Sequence, residues 1–294
     1  MPNIHGALTA TITPFDEDGE IDLNYVTKHL RFQDRSGIHG VVPSGSNGEG
    51  PSLSLEERKR LIEHVVANKG KLKVIPGTGC AALPETIELT RFAASAGADA
   101  ALLMPPFYFK EVRPRGLVEY FRRVLDSASI PMLLYNIPAL AGLPIDDELL
   151  DALGEHPNLY GVKDSSGEPD RPGEYVRSFP KLTILVGSDH LAERALQAGA
   201  AGSISGLANV FPEPMVELYA RFRRGEDTSR LQQKINRYKQ IFKKYPARGG
   251  SKYTLTLRGF PMTFARPPSV DLTEEEQKAL RRELEAEGFP METP

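Results

Sequence analysis

Eight short runs of apolar and β-branched residues punctuate the chain, at positions 6–13, 40–43, 73–77, 100–104, 132–136, 161–163, 183–186 and 202–205. Between them lie longer stretches whose apolar positions recur at helical spacing. That alternation is what parallel βαβ units produce. Three helix starts are explicit: Ser54-Leu55-Glu56-Glu57 has the form of a capping box, and Pro84-Glu85 and Pro212-Glu213 place proline where a first-turn N–H needs no partner. Eight equal rounds without a dinucleotide-binding glycine fingerprint favour a closed barrel over an open doubly wound sheet. The pattern therefore predicts a single (β/α)₈ TIM barrel over residues 1–225. Beyond Gly225 the strand signal stops, and 231–245, 252–257 and 273–287 read as helices, so residues 226–294 are expected to form a helical C-terminal extension.

Size and charge narrow the partners. A barrel takes roughly 250 residues, and this chain has 294, of which 40% are hydrophobic. The formal net charge is -3 with acids and bases interspersed. No basic stripe is available to neutralise a phosphate backbone, so nucleic acid is not an expected partner. Lys243-Lys244 reads as a solvated helix face. No apolar run reaches the ~18 residues a bilayer span needs, and the start carries no signal-peptide pattern. A soluble cytoplasmic protein is expected, with no membrane partner. The single cysteine, Cys80, suits a reducing compartment and rules out an internal disulfide.

Barrel enzymes carry their reacting groups at the C-terminal ends of strands, and here those ends are polar. Strand two runs into Ser44-Gly45-Ser46-Asn47-Gly48-Glu49-Gly50, strand five ends in Tyr135-Asn136, strand six in Lys163-Asp164-Ser165 and strand seven in Gly187-Ser188-Asp189. Lys163 closes the apolar run Leu159-Tyr160-Gly161-Val162. A lysine there either pairs with an acid or reacts. Desolvation disfavours an ammonium and leaves a nucleophilic amine, which condenses with ketones. Alternation puts Ser165 on the lysine's face and turns Asp164 away from it.

The glycine-rich loop after strand two offers backbone N–H groups and two short polar side chains just ahead of a helix. It is either an anion cradle or a plain turn. Without a Gly-Lys-Ser/Thr ending, its anion would be a carboxylate rather than a triphosphate. Tyr135 points to the same rim as Lys163, where a phenol can shuttle protons or sit as a satisfied core residue. Phe107-Tyr108-Phe109 is either a rim cluster or an intersubunit contact. The six histidines show no paired spacing, and only His190 falls at a strand-seven rim. No metal or other cofactor is expected.

The set Gly45-Ser46-Asn47-Gly48-Glu49, Tyr135-Asn136-Ile137-Pro138, Gly161-Val162-Lys163-Asp164 and Ile204-Ser205-Gly206-Leu207-Ala208-Asn209 resembles the dihydrodipicolinate synthase and N-acetylneuraminate lyase superfamily, in order and across the whole barrel. The resemblance implies a class I Schiff-base lyase that takes pyruvate or another 2-oxo acid and an aldehyde, assembled as a homotetramer. By position, Lys163 matches the Schiff-base lysine and Tyr135 the proton-relay tyrosine. Tyr108 matches the tyrosine donated across a tight dimer. Ser46 and Asn47 stand where two hydroxyl residues hold the pyruvate carboxylate. Ile204 matches a position whose backbone carbonyl faces the bound oxo acid.

The resemblance divides over the second substrate. Dihydrodipicolinate synthases carry an arginine two residues after the proline of the strand-five motif, and here that place is Leu140. Tyr135-Asn136-Ile137-Pro138-Ala139-Leu140 is similar instead to neuraminate lyases, where an acid matching Asp189 bonds sugar hydroxyls. His190 and Gly206 depart from that pattern. Ser46-Asn47 resembles 4-hydroxy-2-oxoglutarate aldolases, and Gly187-Ser188-Asp189 the 2-keto-3-deoxygluconate aldolases. The expectation is a 2-keto-3-deoxy sugar acid aldolase. A dehydratase using the same imine, and a non-catalytic carboxylate-binding barrel, remain as alternatives.

Overall fold

A computed structural model describes residues 3–291. Eight strands alternate with helices: β1 Gly6–Thr9, α1 Leu23–Arg35, β2 Gly40–Val41, α2 Leu55–Ala67, β3 Lys73–Val74, α3 Leu83–Ala96, β4 Ala101–Leu103, α4 Pro114–Ser127 and β5 Met132–Asn136. The short α5 Pro138–Ala141 and α6 Asp147–Leu153 follow, then β6 Leu159–Asp164, α7 Arg171–Ser178, β7 Thr183–Val186, α8 Ala192–Gln197, β8 Gly202–Ser205 and α9 Pro212–Arg223. The chain ends in α10 Ser229–Phe242, α11 Ala247–Thr256 and α12 Glu274–Ala286.

The strands form one parallel sheet in the order β3-β2-β1-β8-β7-β6-β5-β4. The remaining seam is bridged by Gly77 and Leu102, with Leu102 N donating to Pro76 O at 2.9 Å and Thr78 N to Leu102 O at 3.0 Å. The barrel expected from the hydrophobic pattern is therefore the fold. β3 is shorter than its apolar run because Pro76 has no N–H for the ladder. β2 is cut short where Ser44 takes a left-handed backbone, at φ 59°.

Two layers of apolar side chains follow from strand alternation. Leu8, Val42, Ile75, Leu102, Leu133 and Leu185 fill the lumen with Tyr135 and Ile204, while the opposite strand faces pack against the helices. The helix starts are those the sequence marks. At α2, Ser54 Oγ accepts from Glu57 N at 3.2 Å and the Glu57 carboxylate accepts from Ser54 N at 2.7 Å, a complete capping box. α3 and α9 each have proline in the first turn.

α11 begins five residues before the helix expected at 252, because Arg248-Gly249-Gly250 reads as a poor helix former. Tertiary packing overrides that propensity. A Cβ at Gly249 would stand 2.5 Å from the Val270 carbonyl, so glycine lets the following segment lie against the helix. Two charged contacts tie this region to the barrel: Lys252 to Glu49 in the loop after β2 and Arg266 to Glu57 at the start of α2, each at 2.7 Å. Among the described residues no helix is long and apolar enough to cross a membrane.

Candidate active site

Tyr135 and Lys163 are register partners on β5 and β6, so both side chains enter the lumen at one height. Lys163 is 4% and Tyr135 6% exposed. The lysine Nζ lies 4.0 Å from the centroid of the tyrosine ring. The neighbouring acid turns the other way: Asp164 accepts from Asn136 Nδ2 at 2.7 Å and from Ser166 Oγ at 3.0 Å, outside the lumen. Asn136 uses its carbonyl to hold Ile145 N at 3.0 Å. Of the two explanations for a lysine in this strand, the adjacent carboxylate does not supply the ion pair.

Burial pushes the Tyr135 phenol up, but the Lys163 charge and the side chains of Ser165, Lys163 and Ser46 around the hydroxyl outweigh it. The net effect holds the phenol below its ordinary value. Ser165 thus joins the lysine's face as alternation predicts. The crowding has a cause on β7's end. A Cβ on Gly187 would lie 1.9 Å from Ser165 Oγ and 2.9 Å from Lys163 Cε. A side chain there would have to displace Ser165 and press on Lys163.

The loop after β2 is held rigidly. Ser44 and Glu49 both occupy the left-handed region, at φ 59° and 53°, which is uncommon for residues other than glycine. Arg58, projecting from α2 and 6% exposed, donates from Nε to Ser44 Oγ at 2.7 Å and from Nη2 to the Gly77 carbonyl at 2.8 Å. Its Nη1 reaches the Gly79 carbonyl at 3.1 Å. Thr13 Oγ1 donates to the Gly48 carbonyl at 2.6 Å. Glu49 accepts from Lys252 at 2.7 Å and from the Arg266 N–H at 3.2 Å. Between these struts the loop delivers Ser46 beside the Tyr135 phenol. Asn47 reaches the rim of β8: its Nδ2 lies where a Cβ on Gly206 would come within 2.3 Å. Ile204, on β8 itself, is 1% exposed in the lumen layer.

Lys163, Tyr135, Ser165, Ser46, Asn47 and Ile204 therefore converge at one barrel mouth. Asp189 and Tyr108 do not join them directly. Asp189 is 2% exposed; one carboxylate oxygen accepts from Ser205 Oγ and the other from Lys239 Nζ at 3.0 Å. Tyr108 is 76% exposed and makes an edge contact with Phe109, ring centroids 5.1 Å apart. Beside Tyr135, Ser46 and Met104 is a gap of about 20 Å³. Ser46 and Met104 also line a wider cavity of about 300 Å³, walled further out by Phe107 and Leu140.

No role is expected from the sequence for Arg58 or Lys252, and Glu49 and Gly187 stand there only as members of the strand-end motifs. The signals were present: an acid inside a glycine-rich loop, and basic residues on the apolar faces of α2 and α11. Among the described residues no group of three or more His, Cys, Asp or Glu is placed to hold a metal ion. The arrangement brings an amine, a phenol, hydroxyls and an amide to one barrel mouth, a set suited to a carbonyl next to an acid group.

Known proteins share this frame. The model of the dihydrodipicolinate synthetase family matches residues 3–287. An uncharacterized DapA-like lyase of Chloroflexus aurantiacus is 39% identical over 291 residues, 97% of each chain. A 4-hydroxy-tetrahydrodipicolinate synthase of Acidiphilium cryptum is 34% identical over 97% of this chain and 99% of its own. Among solved structures, YagE, a prophage protein of the dihydrodipicolinic acid synthase family from E. coli K12 in complex with pyruvate, superposes with a TM-score of 0.94 at 28% identity. It covers 98% of this chain and 100% of its own. With the lysine, the tyrosine and the loop in place at one barrel mouth, the chain belongs to the dihydrodipicolinate synthetase family of class I pyruvate-dependent lyases.

Proposed function

We propose that the protein is a class I aldolase in which Lys163 forms the Schiff base with pyruvate or a 4-hydroxy-2-oxo acid. The observation that carries this is the position of Lys163 Nζ, buried 4.0 Å from the Tyr135 ring centroid, with its neighbouring acid turned outward. The 2-oxo acid's carboxylate lies against Ser46 and Asn47, near the Ile204 carbonyl, and its ketone faces the amine. Attack forms the C–N bond and a carbinolamine. Tyr135 passes a proton to the departing hydroxyl, water leaves, and the imine remains.

In the cleavage direction the Tyr135 phenolate left by that step takes the proton of the substrate's 4-hydroxyl and the C3–C4 bond breaks, its electron pair flowing into the imine. An aldehyde departs and an enamine stays on Lys163. Protonation at C3 and hydrolysis release pyruvate and restore the amine. The reverse sequence joins the enamine to an aldehyde. Ser165 and Ser46 keep the phenol oriented through both directions, and Tyr108 from a second copy completes the relay in a tetramer.

Within this class the protein cleaves a 2-keto-3-deoxy sugar acid. Leu140 stands where dihydrodipicolinate synthases bind the second substrate's carboxylate, and losing a bidentate cation weakens that recognition. Ser188 and His190 supply a polar rim at the end of β7 for a hydroxylated tail, and Asp189, bonded to Ser205 and Lys239, acts on it by holding Ser205 in place. The test is pyruvate release from 2-keto-3-deoxygluconate, followed by coupled reduction to lactate. Turnover that disappears in Lys163→Arg supports the proposal. Turnover retained in that variant, or seen only with aspartate semialdehyde as the pyruvate acceptor, contradicts it.

A further inference from the structure

Leu140 removes a cation from the position that the family resemblance assigns to it, and the wall of the same cavity carries another. The cavity of about 300 Å³ outside the barrel mouth is lined by Ser46, Met104, Phe107 and Leu140 together with Arg248, from the first turn of α11. Its residues connect inward, since Ser46 and Met104 also line the gap at Tyr135. Tyr135, whose ring centroid lies 4.0 Å from Lys163 Nζ, borders the inner gap, so a molecule bound at Lys163 and longer than pyruvate would pass Ser46 toward Arg248.

Two charged residues line this cavity, Glu49 and Arg248. Glu49 is neutralised: it is paired with Lys252 at 2.7 Å, both side chains essentially without exposure, and it accepts from the Arg266 N–H at 3.2 Å. Arg248 is not. One guanidinium nitrogen, Nη2, donates to the Ser46 carbonyl at 3.1 Å. Its Nε is buried and without a hydrogen-bond partner. A buried guanidinium N–H left unmatched is rare in folded proteins, and a guanidinium presents its donors in a planar fork that fits a carboxylate or phosphate. The Ser46 contact also fixes the fork relative to the loop that would carry the pyruvate carboxylate.

We infer that Arg248 binds an acidic group at the far end of the second substrate, so that the 4-hydroxy-2-oxo acid handled by this protein is doubly acidic. The inference rests on the Schiff-base reading of Lys163 for where the first carboxylate lies. It assigns the C-terminal helical region a part in substrate choice, through α11. Leu140 then serves as apolar lining that leaves Arg248 as the cavity's unpaired cation. The sugar acid favoured above becomes one with a second acid on its terminal carbon.

The test uses the full chain and matched ligands. Calorimetric titration compares 2-oxoglutarate with 2-oxopentanoate, which have the same chain length and differ only in the distal acid. Pyruvate addition to glyceraldehyde 3-phosphate is compared with addition to glyceraldehyde, which separates a phosphate from a carboxylate preference. The wild type is expected to favour the doubly charged member of at least one pair by about 10-fold, a difference of about 1.4 kcal/mol. Arg248→Met should abolish that preference while leaving the member without the distal acid within about 3-fold of wild type, and Arg248→Lys should restore part of it.

Equal treatment of both members by the wild type, or an undiminished preference in Arg248→Met, overturns the inference. So does a loss in Arg248→Met that falls equally on pyruvate, which would make Arg248 a support for Ser46 alone. Borohydride trapping of pyruvate, run beside the titrations, keeps the two proposals apart. Without a Lys163 adduct in the wild type the Schiff-base reading fails, yet the binding difference between 2-oxoglutarate and 2-oxopentanoate still reads Arg248.

Discussion

Lys252 on α11 and Glu49 in the loop after β2 are 203 residues apart in the chain and form an ion pair of 2.7 Å, with side-chain exposures of 0% and 1%. The lysine also donates to the Phe264 carbonyl and lies 4.4 Å from the Phe15 ring centroid. A pair this buried is weak as a net source of stability, but removing one partner leaves an uncompensated charge in the interior. It also holds Glu49 in its left-handed conformation, and with it the loop that carries Ser46 and Asn47.

Lys252→Met should therefore lower the unfolding free energy by about 3–5 kcal/mol in urea titrations. Pairing it with Glu49→Gln should recover a large part of that loss, since neither charge is then stranded. The double variant should still show a raised KM for pyruvate, because the loop has lost its anchor. A double variant no more stable than the single one would refute the stranded-charge explanation.

Gly187→Ala tests the packing at the end of β7. The added methyl overlaps Ser165 Oγ and presses on Lys163 Cε. Displacing a reacting group by about 1 Å costs about 10²-fold in rate, so kcat should fall by that order while circular dichroism reports an intact fold. Full activity in the alanine variant would mean that the lysine has room to move, and that its present position is not the reactive one.

Tyr135→Phe removes the phenol but keeps the ring against Lys163. If the hydroxyl relays protons, kcat should drop about 10²–10⁴-fold, with pyruvate still forming an adduct slowly. An unchanged rate would assign the relay to another group. Stability at alkaline pH carries a second signature. The folded phenol ionises below its ordinary value, so it contributes stability that is present above the unfolded pKa and lost as pH falls through the folded one. The phenylalanine variant should lack that alkaline gain in urea titrations.

His29 gives a stability prediction at the other end of the scale. Burial pushes its imidazole from the ordinary 6.5 down to about 4, against the opposing pull of its bond to the Asn209 carbonyl. Between those values the unfolded chain takes up a proton that the folded one refuses. Stability from this residue is complete above pH 6.5 and falls by about 3 kcal/mol as pH drops to 4. In His29→Gln that portion of the acid loss should vanish from urea titrations taken across the window; an unaltered slope would mean that His29 is protonated in the folded state.

The barrel was legible because alternation and helix periodicity are local. Ser54 and Glu57 announce α2, and Lys163 stands out because its strand is otherwise apolar. The convergence of Tyr135, Lys163, Ser165, Ser46 and Asn47 follows once the strands are in order, since parallel neighbours present their C-terminal ends together. The struts were not legible. Arg58 reads as one more charge on an amphipathic helix, although it is buried and bonds three stations on two loops. Lys252 and Arg248 meet their partners across some 200 residues, and no periodicity reports which loop a late helix will cover. The helix expected at 252 takes in Lys252 but stops short of Arg248, which lies in the first turn of α11 with the poor helix formers Gly249 and Gly250. Asp189 shows the converse limit: its position at a strand end was clear, but its ties to Ser205 and Lys239 depend on β8 and α10 packing around it.

The most direct measurement of the central claim is borohydride reduction of the intact protein in the presence of pyruvate, followed by peptide mass mapping. The account predicts a reduced pyruvyl adduct on the peptide containing Lys163, absent when pyruvate is omitted and absent in Lys163→Arg. An adduct on a different lysine, or none at all on folded protein, would contradict it.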